Sequence, residues 1–427
     1  SDRLIIIDEV HNIRKSDDNE NKKVANYLEI LVKYTNNLRL LLLSATPMFN
    51  NFKEIFWLIN LMNINDRRGI IKYNDVFDKE GNFKNGGKEL LVQKITGYVS
   101  YVRGENPYTF PYRIYPSEFA KEHTFFSIPY PKYQMNLKKI NETDKKRIID
   151  LYITKLYNCD NCGECQRCAY NYVIEYLRNK QFSFHTKKGK EINMPNFENM
   201  ESFGYTLLQN PLRSLIISYP DDNLKELITI IKSGNNTDNN FHLDPNELTG
   251  KSGLSRIMNF KETNVPPEKG SYAYKKSTLD KYGPIFKQDM IGKYSSKINN
   301  VLDCIYDKKT NKISEGIILI YSQYIDGGLI PMALALEEMG FIRYGNNTKN
   351  LFKENPTDTI DVRTMQKPKD KKNYLPAQYS LITGDRKLSP DNDYEVKGLT
   401  NFDNNNGERI KVILISIIGR VSNWTKR

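Results

Sequence analysis

Asp8 and Glu9 follow directly on the apolar run Leu4-Ile5-Ile6-Ile7. That run is too short for a helix and too uniformly apolar for a half-exposed strand. It predicts a strand buried on both faces of a parallel sheet, with the two carboxylates emerging at its carboxyl end. Ligands of open α/β sheets sit at that edge. There Asp8 can hold Mg²⁺ through water, and Glu9 can polarise an attacking water as a general base. An ordinary strand running into an acidic loop would look the same, so the pair needs a second signal.

The second signal is Leu40-Leu41-Leu42-Leu43, another buried-strand run, ending in Ser44-Ala45-Thr46-Pro47. Between the two runs, Val24, Tyr27, Leu28 and Leu31 fall at the i, i+3, i+4, i+7 spacing of a helix packed on a sheet. The order is strand, helix, strand, with a polar tip after each strand. Asp8-Glu9-Val10-His11 followed by Ser44-Ala45-Thr46 resembles motifs II and III of the superfamily 2 helicases and translocases. The resemblance implies two RecA-like α/β lobes that clamp ATP and hold a nucleic-acid backbone across their upper faces. It assigns Mg²⁺ to Asp8, water activation to Glu9 and a link to the partner lobe to His11. Ser44 and Thr46 would relay nucleotide state to the nucleic-acid side.

With 427 residues the chain has room for two or three domains. A net charge of +12 suits a polyanionic partner, although abundant Lys, Asn, Ile and Tyr would follow equally from AT-rich coding. No window offers the roughly 20 apolar residues that span a membrane. In such enzymes the nucleotide phosphates lie on a Gly-rich loop ending in Gly-Lys-Ser/Thr, upstream of the acidic strand. No such loop precedes Asp8. The nearest match taken, Gly86-Gly87-Lys88, is followed by Glu89 and is read as a loop. The chain opens on Ser1, almost on the acidic strand, and is read as a piece of a longer protein, inactive by itself.

Further blocks narrow the resemblance. Gly97-Tyr98-Val99-Ser100-Tyr101-Val102-Arg103-Gly104 with Phe110-Pro111 looks like the end of the first lobe in helicase-like ATPases of large cytoplasmic DNA viruses. That group includes poxvirus nucleoside triphosphatase I and the small subunit of the poxvirus early transcription factor. Tyr294 to Ile298, Gly316 to Ser322 and Gly327 to Pro331 are similar to the start of the second lobe in the same group. The implied domains are 1–135, the first lobe; 136–284, an insertion; and 285–427, the second lobe. The implied partners are nucleic acid, DNA ahead of RNA, and viral RNA polymerase or transcription-factor subunits. The implied location is the virion and the host cytoplasm.

Inside the insertion stand Cys159, Cys162, Cys165 and Cys168, four of the five cysteines. The spacing allows zinc, an iron–sulfur run, disulfides or a metal-free loop; zinc is preferred to iron–sulfur. Ile148, Leu151, Tyr152 and Leu156 mark an amphipathic stretch before it. From Gly189 to Gly270 the chain is polar and reads as insertion or linker with short helices. Lys187 to Lys190 and Lys367 to Lys372 are basic runs that suit a solvated face better than a phosphate.

In the second lobe, Ile317 to Tyr321, Tyr379 to Ile382 and Val412 to Ile415 read as buried strands, and Gly340 is placed to end a helix in the left-handed region. Thr383, Gly384 and Ser416 then fall at the sheet edge that faces nucleic acid in the related motors, with Arg386 and Lys387 beside them. Ser100 and Tyr101 would do the same in the first lobe. The pattern departs after Ser416, where Gly419-Arg420-Val421 only faintly matches the arginine-finger motif. A rival reading is therefore a non-catalytic nucleic-acid-binding or assembly subunit on a motor scaffold.

Overall fold

The protein is described by a computed structural model covering residues 2–13, 23–48, 52–78, 81–101, 114–146, 148–149, 151–159, 164–179, 194, 196–197, 205–233, 243–262, 270–346, 348–369 and 373–416. The chain divides into two compact units, Ser1–Arg113 and Ile114–Arg427. Both carry parallel sheets in a mixed α/β fold, as the sequence predicts. Among the described residues no helix is long and apolar enough to cross a membrane.

In the first unit, β1 (Arg3–Ile7) crosses over through α1 (Lys23–Tyr34) to pair in parallel with β2 (Leu38–Leu42), Ile7 lying opposite Leu42. Leu28 and Val32 of α1, with Leu61 of α2 (Ile55–Asn65), pack on Ile5, Ile7, Leu40 and Leu42. Two expectations change here. Both helices cover one face, and strand side chains alternate, so Leu4 and Ile6 remain 59% and 57% exposed rather than buried. On α1 the buried stripe is Ala25, Leu28 and Val32, while Val24, Tyr27 and Leu31 face outward. The helix is apolar on two sides, and the side carrying the small Ala25 packs inward. Trp57 Nε1 donates to Glu29 Oε1 at 2.6 Å and Asn65 Nδ2 to the Leu38 carbonyl at 3.0 Å, tying α2 to α1 and β2. Of the Gly86-Gly87-Lys88 stretch read as a loop, Gly86 lies in a turn and the other two begin a helix. Gly86, at φ 75°, precedes α3 (Gly87–Ile95), and a Cβ on Gly87 would meet the Val76 carbonyl oxygen at 2.3 Å.

After short helical turns at Pro116–Phe119 and Glu142–Lys145, the second unit carries α4 (Gln166–Asn179), α5 (Tyr205–Ser214), α6 (Leu224–Ser233) and α7 (Gly250–Ile257). An antiparallel hairpin follows, β3 (Met258–Glu262) with β4 (Gly270–Tyr274). Beyond a short helix at Lys276–Tyr282, the main elements that follow are α8 (Ser296–Ile305), β5 (Ile318–Tyr321), α9 (Ile330–Met339), β6 (Ile342–Arg343), β7 (Gln378–Ile382), α10 (Asn392–Leu399) and β8 (Val412–Ile415). The four strands make one parallel sheet in the order β5-β8-β7-β6. Gly340 closes α9 at φ 104°, as expected. The stretch read as linker behaves otherwise: Ile217, Tyr219, Leu254, Ile257 and Met258 share one core with α9, β7 and β8. Residues 151–159 are not helical, and the ring of Tyr152 stacks on His123 at 4.3 Å.

Two buried acids cross-brace this sheet. Glu337 accepts from Leu351 N, Phe352 N and the Tyr379 hydroxyl. Glu395 accepts from the Ser380 hydroxyl and, at 3.1 Å, from Leu381 N. Burial pushes the Glu395 carboxyl up to about 7 from an ordinary 4.5. The folded protein therefore keeps a proton that the unfolded chain releases. The resulting stabilisation is complete below about 4.5 and is lost as the pH rises through about 7. Glu395→Gln keeps one acceptor oxygen and does not titrate. In denaturant titrations its stability should fall less than that of wild type across this window, by on the order of 3 kcal/mol. Parallel curves for the two proteins would count against the argument.

Candidate active site and nucleic-acid edge

Parallel pairing brings the two polar strand tips together. Leu43 N donates to the Ile7 carbonyl at 2.8 Å, and Val10 N to the Leu43 carbonyl at 3.1 Å. Asp8 is exposed; its Oδ1 accepts from Glu9 N at 2.9 Å. Glu9 has φ 51° and ψ 45°, a left-handed conformation that side chains other than Gly, Asn and Asp rarely adopt. This turn swings the chain into the 3₁₀ turn Val10–Asn12 and brings Glu9 Oε2 to 3.0 Å from His11 Nδ1. The same Nδ1 stands 3.0 Å from Ser44 Oγ, which also accepts from Thr46 N at 3.1 Å. His11 therefore touches groups from both tips. When Nδ1 carries a proton it can donate to Glu9 or Ser44; without one it can accept from the Ser44 hydroxyl. Thr46 contributes its backbone amide, and its side chain is exposed. Asp8 offers hard oxygen at the mouth of the sheet, a donor that fits Mg²⁺.

The second unit has its own row of tips at one sheet edge, since β5, β8 and β7 are parallel neighbours. Ser322 N donates to the Ile415 carbonyl at 3.1 Å and Ser416 N to the Ile382 carbonyl at 3.2 Å. Of the residues expected to contact nucleic acid here, Gly384, Arg386 and Lys387 are exposed. Thr383 and Ser416 are buried, at 1% and 2% exposure. The Thr383 hydroxyl is held 2.9 Å from Ser389 Oγ and accepts from Asp385 N, so it shapes the turn that presents Arg386 and Lys387. In the first unit, Ser100 and Tyr101 are exposed. Arg103, Lys187 to Lys190 and Arg420 lie outside the described residues, and Lys367 is paired with Asp358.

Of the four clustered cysteines, Cys162 lies outside the described residues and the other three converge. Cys159 and Cys165 form a disulfide. Cys168 Sγ lies 3.3 Å from Cys159 Sγ and 3.4 Å from Cys165 Sγ. Cys165 and Cys168 are buried at the start of α4, whose first residue is locked in place. There Gln166 donates to the Ser214 carbonyl and accepts from Ser296 N, both at 2.9 Å. Three sulfurs within reach of one point, two of them buried, are a soft donor set that fits zinc once the disulfide is reduced.

No protein-family model matches the chain. Relatives do. Over 433 residues the chain is 22% identical to an Acanthamoeba polyphaga mimivirus protein provisionally named an ATP-dependent RNA helicase, covering 96% of this chain and 32% of that one. It is 32% identical over 151 residues to nucleoside triphosphatase I of Melanoplus sanguinipes entomopoxvirus, covering 34% of this chain and 22% of that one. The chain is thus similar to viral proteins named as ATP-dependent RNA helicase and nucleoside triphosphatase I. A second mimivirus protein with the same kind of helicase name is 32% identical over 122 residues. The chain spans a third or less of the length of each of these relatives. This kinship agrees with the helicase-like motifs at Asp8-Glu9-Val10-His11 and Ser44-Ala45-Thr46. Sequence reading passes over one feature, Gly250-Lys251-Ser252, which fits a phosphate-loop ending better than Gly86-Gly87-Lys88. It was detectable as a tripeptide after Thr249, but Pro245 stands where the loop's first glycine would.

Proposed function

We propose that this chain belongs to a nucleic-acid-dependent ATPase that couples hydrolysis to translocation or remodelling on DNA or RNA, in viral transcription within the virion and host cytoplasm. The observation that carries the reading is the contact of His11 with both Glu9 and Ser44. It gives the acidic strand tip a direct connection to the neighbouring tip. In this reading Asp8 holds Mg²⁺ through water, and the bound ion neutralises charge on the nucleotide phosphates. Glu9 accepts the proton of the attacking water, with the left-handed turn setting where its carboxylate points. His11 and Ser44 pass the resulting change in hydrogen bonding to Thr46. Viral polymerase or transcription-factor subunits are the protein partners that suit such a role.

The nucleic-acid contacts would be Gly384, Arg386 and Lys387 within the second unit and, separately, Ser100 and Tyr101 within the first. Contacts of this kind meet phosphates and carry little base information. Binding of single-stranded oligonucleotides should be nearly independent of sequence and should weaken steeply with salt. The double variant Arg386→Ala, Lys387→Ala should lower the salt slope by about two. A double variant that binds like wild type with the same slope would move the contact elsewhere. Strong sequence preference with no ATP turnover would favour the rival, a non-catalytic recognition subunit.

A further inference from the structure

Gly250-Lys251-Ser252 opens α7 with two glycines that have distinct tasks. Gly250 takes φ 58°, a value that favours glycine. A Cβ on Gly253 would stand 2.4 Å from the Tyr219 ring and 2.9 Å from the Leu248 backbone, so glycine allows the helix to start against both. The first-turn amides of Gly250, Lys251 and Ser252 have no acceptor within the helix. Thr249, which precedes them, is 2% exposed, and its hydroxyl has no partner among the described residues, not even the usual capping bond. A cavity of about 610 Å³ lies against Thr249, the Gly-Lys-Ser turn, Arg213 and Tyr324. The Arg213 guanidinium sits 5.5 Å over the Tyr324 ring. Of the two acids on its wall, Asp244 is engaged by Asn246 N and Nδ2 at 2.9 Å, which leaves Asp326.

Lys251 and Asp326 also line a second cavity, of about 430 Å³. Here five cationic side chains (Lys251, Arg343, Lys349, Lys353 and Lys387) meet two carboxylates, Asp326 and Asp385. Asp385 Oδ1 already accepts from Lys387 N at 2.9 Å. The wall of β3 and β4 adds two aromatic rings, Phe260 and Tyr272, with centroids 4.8 Å apart. Phe260 is 36% exposed, and Gly270 leaves its ring room to lie across the hairpin, where a Cβ would be 2.7 Å from Phe260 Cζ. An exposed ring beside cations suits a base with its phosphate.

We infer that the start of α7 and the β3–β4 hairpin form one groove for single-stranded nucleic acid, with a phosphate on Gly250-Lys251-Ser252 and a neighbouring base on Phe260. Two adjoining cavities, each within the size range of a ligand site, offer room for more than one nucleotide, which favours a strand over a free mononucleotide. The inference rests on the nucleic-acid reading above and adds residues from outside the strand tips.

The test uses the whole chain and a fluorescent oligothymidylate carrying one iodouracil. Irradiation should crosslink the base to Phe260 or Tyr272. In anisotropy titrations Phe260→Ala should weaken binding by roughly 5- to 100-fold with the salt slope unchanged, as loss of one stacked base would. Phe260→Tyr should restore binding. Lys251→Ala should weaken binding and lower the slope by about one. If Phe260→Ala and Lys251→Ala bind like wild type while Arg386→Ala, which lies outside both cavities, is impaired, the groove is wrong and the strand-tip reading survives. Wild-type protein that binds no oligonucleotide overturns both. Displacement of the crosslink by millimolar AMP, with oligonucleotide affinity unaffected by Phe260→Ala, would make the site one for a free nucleotide and overturn the strand assignment.

Discussion

Glu9→Gln is expected to lower nucleic-acid-stimulated ATP hydrolysis by roughly 10²- to 10⁴-fold, the range for loss of a general base, while ATP remains bound. The amide preserves the size of the side chain and its reach toward His11 but cannot take a proton from water. Phosphate release should be followed in protein that carries a Gly-Lys-Ser/Thr phosphate loop, because in the proposed reading Asp8 and Glu9 act on phosphates that such a loop would hold. Asp8→Asn should cause a comparable loss that is partly relieved by raising Mg²⁺, which Glu9→Gln should not show. Undiminished turnover by Glu9→Gln would remove Glu9 from the reaction.

The second large effect concerns the cysteines. Under reducing conditions the purified chain should carry about one zinc, and Cys168→Ser should abolish that binding and lower stability by several kcal/mol. Cys168 is wholly buried, and α4 is anchored at that point to Ser214 and Ser296. Oxidation should release the metal, because the Cys159–Cys165 disulfide removes two of its donors. Metal analysis and unfolding curves with and without reductant would read both steps. Reduced protein free of metal and as stable as the oxidised form would leave the cluster a disulfide staple only. Absorbance near 400 nm would point to iron–sulfur instead, a rough expectation for thiolate-bound clusters.

The placement of the polar tips at the first sheet was legible because it is local. Asp8, Glu9 and Ser44 are polar residues set directly after apolar runs, and a parallel pair with a helical crossover brings such tips together. Burial was less legible. Whether Leu4 and Ile6 are covered depends on what packs against the sheet, and periodicity alone could not choose between the Val24 and Ala25 sides of α1. Thr383 was placed correctly at a strand end, but its side chain turns inward to Ser389, a choice fixed by a residue six positions on. The Gly189–Gly270 stretch misled for a different reason. Its apolar residues come singly or in short groups between polar runs, so no period announces that Tyr219 and Leu254 belong to the main core. The role of Gly253 was equally invisible, since it depends on Tyr219, far away in sequence.

The strand order β5-β8-β7-β6 also bears on how the second unit is made. The central position beside both β5 and β7 is taken by β8, the last of the four to leave the ribosome. Among the described residues, until Val412–Ile415 emerges β5 has no strand partner in this sheet and β7 is paired only with the two-residue β6. Closure of the sheet must therefore wait for contacts between residues almost a hundred positions apart, such as Val412 with Ile318. Long-range parallel pairing of this kind is slow and leaves strand edges open in the interim. During synthesis the nascent chain thus carries unpaired apolar edges, and a chaperone that shields them would act on β5 and β7 before β8 arrives.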